Sequence, residues 1–264
     1  MSAVVGAGTG TTTPAGRMRA LARAESALFL RNKGALVTAL FVPLVMPVSV
    51  RSAIDGMDLK EAGLSVGAVI LPASIGFALL FAVYAALVGV FTARREELVL
   101  KRLRTGELRD VEILTGAALP AAVTGLVQSL LLAAGCAVLL DLDAPAAPHL
   151  AVIGLLLGLV MCVALAALTA SYSRTTESAQ VTSLPLLFVS ALGSGITVPL
   201  EVLPDRVASF CELLPLTPVI TLIRGGWTGD LSAYDALGAV LTGLAWTVLS
   251  VFAVRRWFRW EPRR

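Results

Sequence analysis

The sequence predicts an all-α polytopic membrane protein with six transmembrane helices. Six apolar runs of spanning length contain no Asp, Glu, Lys, Arg or His, and a membrane helix needs about 20 such residues. The whole chain of 264 residues is 57% hydrophobic and only 15% charged, with a mean hydropathy of +0.85. A soluble fold of that size has more surface than so few charges cover. The charge that remains is unevenly spread along the chain, as the topology of a membrane protein requires. The runs are too long for strands and lack the alternation of a membrane barrel, so helices are the spanning element.

Taken in order, residues 1–13 are an uncharged stretch rich in Gly, Thr, Ala and Ser and read as a flexible tail. Residues 14–264 form a single transmembrane domain. The stretch from Pro14 to Lys33 carries apolar Leu21, Leu28 and Phe29 among Arg17, Arg19, Arg23 and Arg31. Proline suits a helix start, and this mixture suits a helix lying in the interface against anionic lipid. An ordinary basic flank to the first span accounts for the pattern equally well. The spans then fall at 34–50, which is short and holds Pro43 and Pro47, at 64–92, 113–140, 150–172, 181–200 and 236–254. The second is long enough to tilt or to project from the bilayer.

Placing the basic residues sets the orientation. Arg17, Arg19, Arg23, Arg31 and Lys33 precede span one. Arg94, Arg95, Lys101, Arg102, Arg104 and Arg109 lie between spans two and three, and Arg174 between four and five. Arg255, Arg256, Arg259, Arg263 and Arg264 follow span six. That is 17 of the 21 Lys and Arg residues on one side. The positive side is cytoplasmic, so both termini are expected inside a cell inner or plasma membrane. Acidic residues lean the other way, leaving the inner face at +9 and the outer face at −6 within the net +3. No cleavable leader and no Met-Gly lipidation start are recognised.

Several activities are disfavoured. Intramembrane charges mark proton relays and ion pathways, and the spans carry none. A proton- or sodium-driven transporter and a di-aspartate protease are therefore poor fits. His149 is the sole histidine and sits at a span boundary with no second His or Cys beside it, so no metal site is expected. Cys136, Cys162 and Cys211 read as unpaired, small apolar residues. No G-x-x-x-x-G-K-[ST] stretch is present, so the chain holds no P-loop and binds no nucleotide cofactor by that route.

Three regions carry information. The first is the basic stretch from Pro14 to Lys33. The second, ARREELVLKRLRTGELRDVE from Ala93 to Glu112, is the most charged in the chain. Arg94 and Leu98, and Glu97 and Lys101, stand at i, i+4. Leu98, Val99, Leu103 and Leu108 interrupt the charges, which a purely solvated anchor does not need. The pattern predicts a helix leaving the membrane, a short amphipathic element and a turn at Gly106 into span three. Its functional reading is a docking surface for a cytoplasmic partner, and its plain reading is a topology anchor. The third region, Ser190 to Gly226, holds Pro199, Pro204, Pro215 and Pro218, which break a long helix. Yet Val207 to Phe210 and Leu213 to Ile223 are too apolar for a free loop. Short re-entrant helices in the outer leaflet are expected, with an amphipathic surface helix as the alternative.

With these residues assembled, the chain resembles the ABC-2 type transporter permeases, the membrane subunits of ATP-driven exporters. The layout of six spans agrees, as does the basic loop R-x-x-x-x-x-K-R-L-R, here Arg95, EELVL, Lys101, Arg102, Leu103 and Arg104. The family pattern has a Glu-Arg-Glu-like start and a Gly-Thr-Leu, where this chain has Arg95-Glu96-Glu97 and Leu98-Val99-Leu100. The stretch SAQVTSLPLLFVSALGSGITVPLEVLPDRVASFCELLPLTPVITLIRG is similar to the family's fifth span, its Pro-Leu exit and its L-P-L-T-x element ending in Arg-Gly.

The resemblance implies that Arg94, Arg95, Glu96, Glu97, Lys101, Arg102, Leu103 and Arg104 include the coupling helix that seats on an ATPase. It implies that residues 14–33 are a connecting helix, and that the outer re-entrant element includes Pro204, Leu214, Pro215 and Arg224. It implies two P-loop ATPase subunits carrying ATP and Mg, and a second copy of this permease or a related one. The cargo is then a small molecule, lipid, peptide or glycan, and not nucleic acid. The pathway implied runs between the two permeases, with spans two and five prominent. Span two carries Phe77, Phe81, Tyr84, Val88 and Phe91 at steps of 4, 3, 4 and 3, which share one helical face. Such a stripe either grips an amphipathic substrate or packs helices, and packing is the more common use. Span five offers Ser183, Ser190, Ser194 and Thr197, and Gly154 and Gly158 in span four form a G-x-x-x-G. Two other readings are a membrane-embedded lipid-modifying enzyme, with Asp205, Glu212 and Arg224 gathered at the surface, and a scaffold or immunity protein without transport. An Arg count well above that of Lys suits a GC-rich bacterial gene.

Overall fold

A computed structural model of the chain describes residues 64–105, 108–258 and 260, with isolated positions between 13 and 52. The predicted tail at 1–13, the interfacial helix at 14–33 and the first span at 34–50 lie outside the described residues apart from those positions. The described part is all helical, with no strand.

Helix α1, Val66–Glu96, starts where Ser65 Oγ accepts the Ala68 N–H at 3.2 Å. It contains Pro72 and a π-helical segment, Leu79–Ala85. A short helix α2, Val99–Arg104, follows, then α3, Asp110–Leu139, and α4, Pro148–Tyr172. Helix α5 is Thr176–Gly193; a 3-10 turn at Leu200–Val202 precedes α6, Asp205–Cys211. Helices α7, Thr217–Thr228, and α8, Ala233–Trp257, complete the chain. Of these, α1, α3, α4 and α8 are long and apolar enough to cross a membrane.

The predicted second, third, fourth and sixth spans correspond to α1, α3, α4 and α8. The fifth differs. Its helix begins at Thr176 and stops at Gly193, whereas the sequence reading carried it from 181 to 200. Gly193, Ser194 and Gly195 are the reason, because Gly195 adopts φ +73 and turns the chain out of the helix. The Thr197 N–H then bonds to the Ala191 carbonyl at 3.1 Å. At its start, Thr175 and Ser178 cap the helix, which draws in a polar first turn that apolar run-counting excluded.

Burial orders the bundle. The most apolar stretch of α1 is 89% buried and that of α8 only 17%. α1 is therefore the central post, apolar on every side, and α3 and α8 are outer helices. Helix α4 packs on α7 and α8, and α7 reaches α1. Contact at that crossing is close. A Cβ on Gly154 would stand 2.9 Å from Leu222 Cβ, and one on Gly158 would stand 2.7 Å from Leu79 Cδ1. The G-x-x-x-G therefore packs within one chain. Gly226 meets the Ala151 backbone nitrogen at 2.5 Å by the same measure. The segment before α4 is laced to α7, with Ala147 N–H donating to Gly226 O at 2.9 Å. Helix α7 ends at Gly229, φ +79, in the left-handed conformation usual for a helix C-terminus.

Helix α5 is inside-out relative to a soluble helix. Its buried residues are Ala179, Ser183, Leu187 and Ser190, while Val181, Phe188 and Leu192 face outward. That suits a lipid surround, where close approach of small residues does the packing. The three cysteines are buried and unpaired.

Candidate functional site

The charged loop gathers at one end of the bundle. There α1 ends, α3 and α5 begin, and α4 and α8 end. Arg94 bonds to Glu97 at 3.1 Å across the last turn of α1. Helix α1 stops because Leu98 takes φ 61, ψ 14, a left-handed conformation that costs an L-residue about 1–2 kcal/mol. The i, i+4 spacings read through Leu98 therefore do not belong to one helix. Glu97 closes on Arg94, and Lys101 belongs to α2. In the family pattern a glycine stands at the position of Leu98, the residue type that takes this conformation without strain.

Helix α2 is amphipathic as expected. Leu100 is buried and Leu103 half-buried, whereas Lys101, Arg102 and Arg104 are exposed. Arg104 Nε donates to Asp110 Oδ1 at 3.0 Å, and its guanidinium lies 5.0 Å from the Trp260 ring centroid. The loop is thus tied to the start of α3 and to the tail after α8. Arg255 and Arg256 in the last turn of α8, and Asp110 and Glu112 in the first turn of α3, suit the dipoles of those helices.

Arg95 stands apart from its neighbours. It is fully buried, its Nη1 donates to Ala170 O at 2.8 Å, and its Nη2 donates to Ser173 O. Those carbonyls belong to the C-terminal end of α4. Glu96 stays exposed, and its Oε2 accepts both the N–H, at 2.9 Å, and the hydroxyl of Thr176 at the start of α5. Ala170, Ser173 and Thr176 were not singled out from the sequence. Their one legible signal was the Thr175-to-Ser178 cap, which marks a helix start at 176.

The proposed pathway residues are distributed differently. Phe77, Tyr84, Val88 and Phe91 are buried and Phe81 is half-buried. Phe77 and Phe81 stack with centroids 6.3 Å apart. The Tyr84 hydroxyl bonds with Thr169 Oγ1 at 3.0 Å and donates to Ser183 O at 3.5 Å. In a single chain the stripe is therefore a packing seam. Ser183 donates to Gln180 O at 2.7 Å, and the buried hydroxyls of Ser190 and Ser194 have no hydrogen-bond partner among the described residues. Thr197 is half-buried.

At the opposite end, Pro204 caps α6, Pro215 lies buried in the turn to α7, and Leu214 meets Gly193, whose Cβ would stand 2.5 Å from Leu214 Cδ1. Arg224 is buried in α7 and bonds to Glu201 at 2.8 Å and to Gly195 O at 3.1 Å. No hydrogen bond or ion pair joins it to Asp205 or Glu212 among the described residues. Trp246 of α8 holds the same turn through Leu213 O at 2.9 Å.

A comparison with curated proteins gave no match. The chain does match the family described as ABC-2 type transporter across residues 17–227. That family is a membrane transport component, is not itself the ATPase, and generally works with an ATPase subunit. With its long apolar helices and this match over most of its length, the chain is a multi-pass membrane protein of the ABC-2 type transporter family, a permease of an ABC transporter.

Proposed function

We propose that this permease is the membrane half of an ATP-driven exporter. It acts as a pair of permeases with two ATPase subunits, which carry ATP and Mg. Helix α2 is the element that seats on the ATPase. The observation that carries this reading is the placement of α2. It stands at the end of the bundle where α1, α4 and α8 finish, with Leu100 and Leu103 turned inward and Lys101 and Arg102 outward. The same end collects Arg174, Arg255 and Arg256, which supports a cytoplasmic position for it and for both termini. ATP binding would close the ATPase pair, shift α2 and change access to a pathway between the two permeases. The cargo is a small molecule, lipid, peptide or glycan. The apolar element of α6 and α7 dips into the outer leaflet and caps that pathway.

Co-purification tests the reading. Arg102 is the cleaner target, because Arg104 also holds Asp110 and Trp260. Arg102→Glu is expected to weaken ATPase binding about tenfold, as charge reversal at a docking surface does, while leaving membrane insertion intact. A complex that survives this change while the topology inverts would show that the loop is only an anchor.

A further inference from the structure

We propose that Arg95 and Glu96 are positioning residues that join the α2 loop to the turn between α4 and α5. A displacement of α2 then moves two levers and not α1 alone. This rests on the reading that α2 meets the ATPase. The two residues are adjacent and opposite in charge. Arg95 donates to Ala170 O at 2.8 Å and to Ser173 O, where α4 ends. Glu96 accepts the Thr176 N–H at 2.9 Å and the Thr176 hydroxyl, where α5 begins. A helix carries partial negative charge at its C-terminus and partial positive charge at its N-terminus. Each side chain therefore meets the helix end of opposite sign, and exchanging the two would be wrong at both.

The turn that they hold is already closed on itself. Ser178 Oγ accepts the N–H groups of Arg174 at 3.0 Å and Thr175 at 2.9 Å, and Thr175 Oγ1 accepts the Ser178 N–H at 3.1 Å. A self-capped turn moves as one piece when pulled. Only Glu97 and Leu98 separate the clamp from α2, and Glu97 is fastened back to Arg94 at 3.1 Å. Little slack intervenes. Beyond the turn, α4 is a continuous helix of 25 residues. The backbone just before its far end is bonded to α7 through Ala147 N–H and Gly226 O at 2.9 Å. A pull on the Ser173 end therefore has a stiff route to the outer element.

The test uses the full-length permease with its ATPase in nanodiscs, following amide exchange with and without Mg-ATP plus vanadate. In wild type, residues 99–104 and 173–179 both change on trapping nucleotide. Glu96→Gln keeps an exposed side chain of the same shape and is expected to fold, and its ATPase binding is measured alongside so that lost docking is told apart from lost coupling. Its segment 99–104 still responds, while the response at 173–179 falls roughly two- to tenfold, the range for loss of one charged contact at a helix end. Thr176→Val, which lies outside the α2 loop and removes the hydroxyl bond while keeping the N–H bond, binds ATPase normally and shows a selective loss no larger than that of Glu96→Gln, and the double variant is no worse than Glu96→Gln alone. A merely structural role would raise exchange at 173–179 equally in both states and leave the nucleotide response intact. That result overturns the proposal, as does a wild-type turn that stays silent while 99–104 responds. A wild-type chain that brings down no ATPase overturns the docking reading, and the coupling with it.

Discussion

The two ends of the bundle are held by different physics. At the basic end, charged side chains grip helix termini: Arg95 on α4, Glu96 on α5 and Arg104 on α3. At the opposite end, backbones touch. Gly226 leaves no room for a methyl group beside Ala151, and Gly154 leaves none beside Leu222. Among the described residues, the charged pair there, Arg224 with Glu201, sits beside the glycine-rich exit of α5. Charge-to-terminus contacts are directional bonds between named groups, which a single substitution can remove without adding bulk. Steric contacts differ, because packed interiors resist even one added carbon. The basic end is therefore held by charge and hydrogen bonds, and the other end by close packing.

Breaking each end should show this difference. The largest expected effect is Arg95→Met, which removes charged donors from two carbonyls in a buried site and should cost about 3 kcal/mol. Thermal unfolding in detergent measures it, and a loss under 1 kcal/mol (about one hydrogen bond's worth) would mean that water replaces the guanidinium. Next is Gly226→Ala. The added carbon has no space, so overpacking of about 2 kcal/mol is expected. Gly135→Ala is its control, because nothing among the described residues lies within 4 Å of a Cβ there; it should stabilise by about 0.5–1 kcal/mol through helix propensity. Equal effects at the two glycines would remove the steric half of the comparison. The smallest effect is Leu98→Gly, which relieves a left-handed leucine at an exposed position and should stabilise by about 1 kcal/mol or less. Destabilisation instead would show that the leucine side chain holds α2 in place.

Much of the fold was readable because bilayer thickness imposes length. The apolar runs at 113–140 and 150–172 end within three residues of α3 and α4. What escaped were features in which local rules and tertiary contacts disagree. A leucine gives no turn signal, so the break at Leu98 was hidden and Glu97 was paired forward to Lys101. Arg95 was grouped with the solvated charges around it, since a charge run does not say which member turns inward. The Ser194–Pro199 segment looked like helix because it is apolar, and Gly195 alone marked its exit. At the candidate site, the amphipathic character of α2 was legible from its leucines. The partners Ala170, Ser173 and Thr176 lie about 75–80 residues away in sequence, and no local pattern reaches that far.

The π-helical segment Leu79–Ala85 has a bearing on all of this. A helix is a screw thread, and an α-helix turns about 100° per residue. A π turn takes up one residue more, and so offsets the phase of everything beyond it. In α1 that offset lies between the half that packs on α7 and the half that carries Arg95 and Glu96. Winding the segment as uniform α-helix with no residue removed would swing the lower half by about 100°. The guanidinium and carboxylate would then point away from the two helix ends they now meet. The azimuth of the whole basic loop is thus set near the middle of a buried helix, far from any charge.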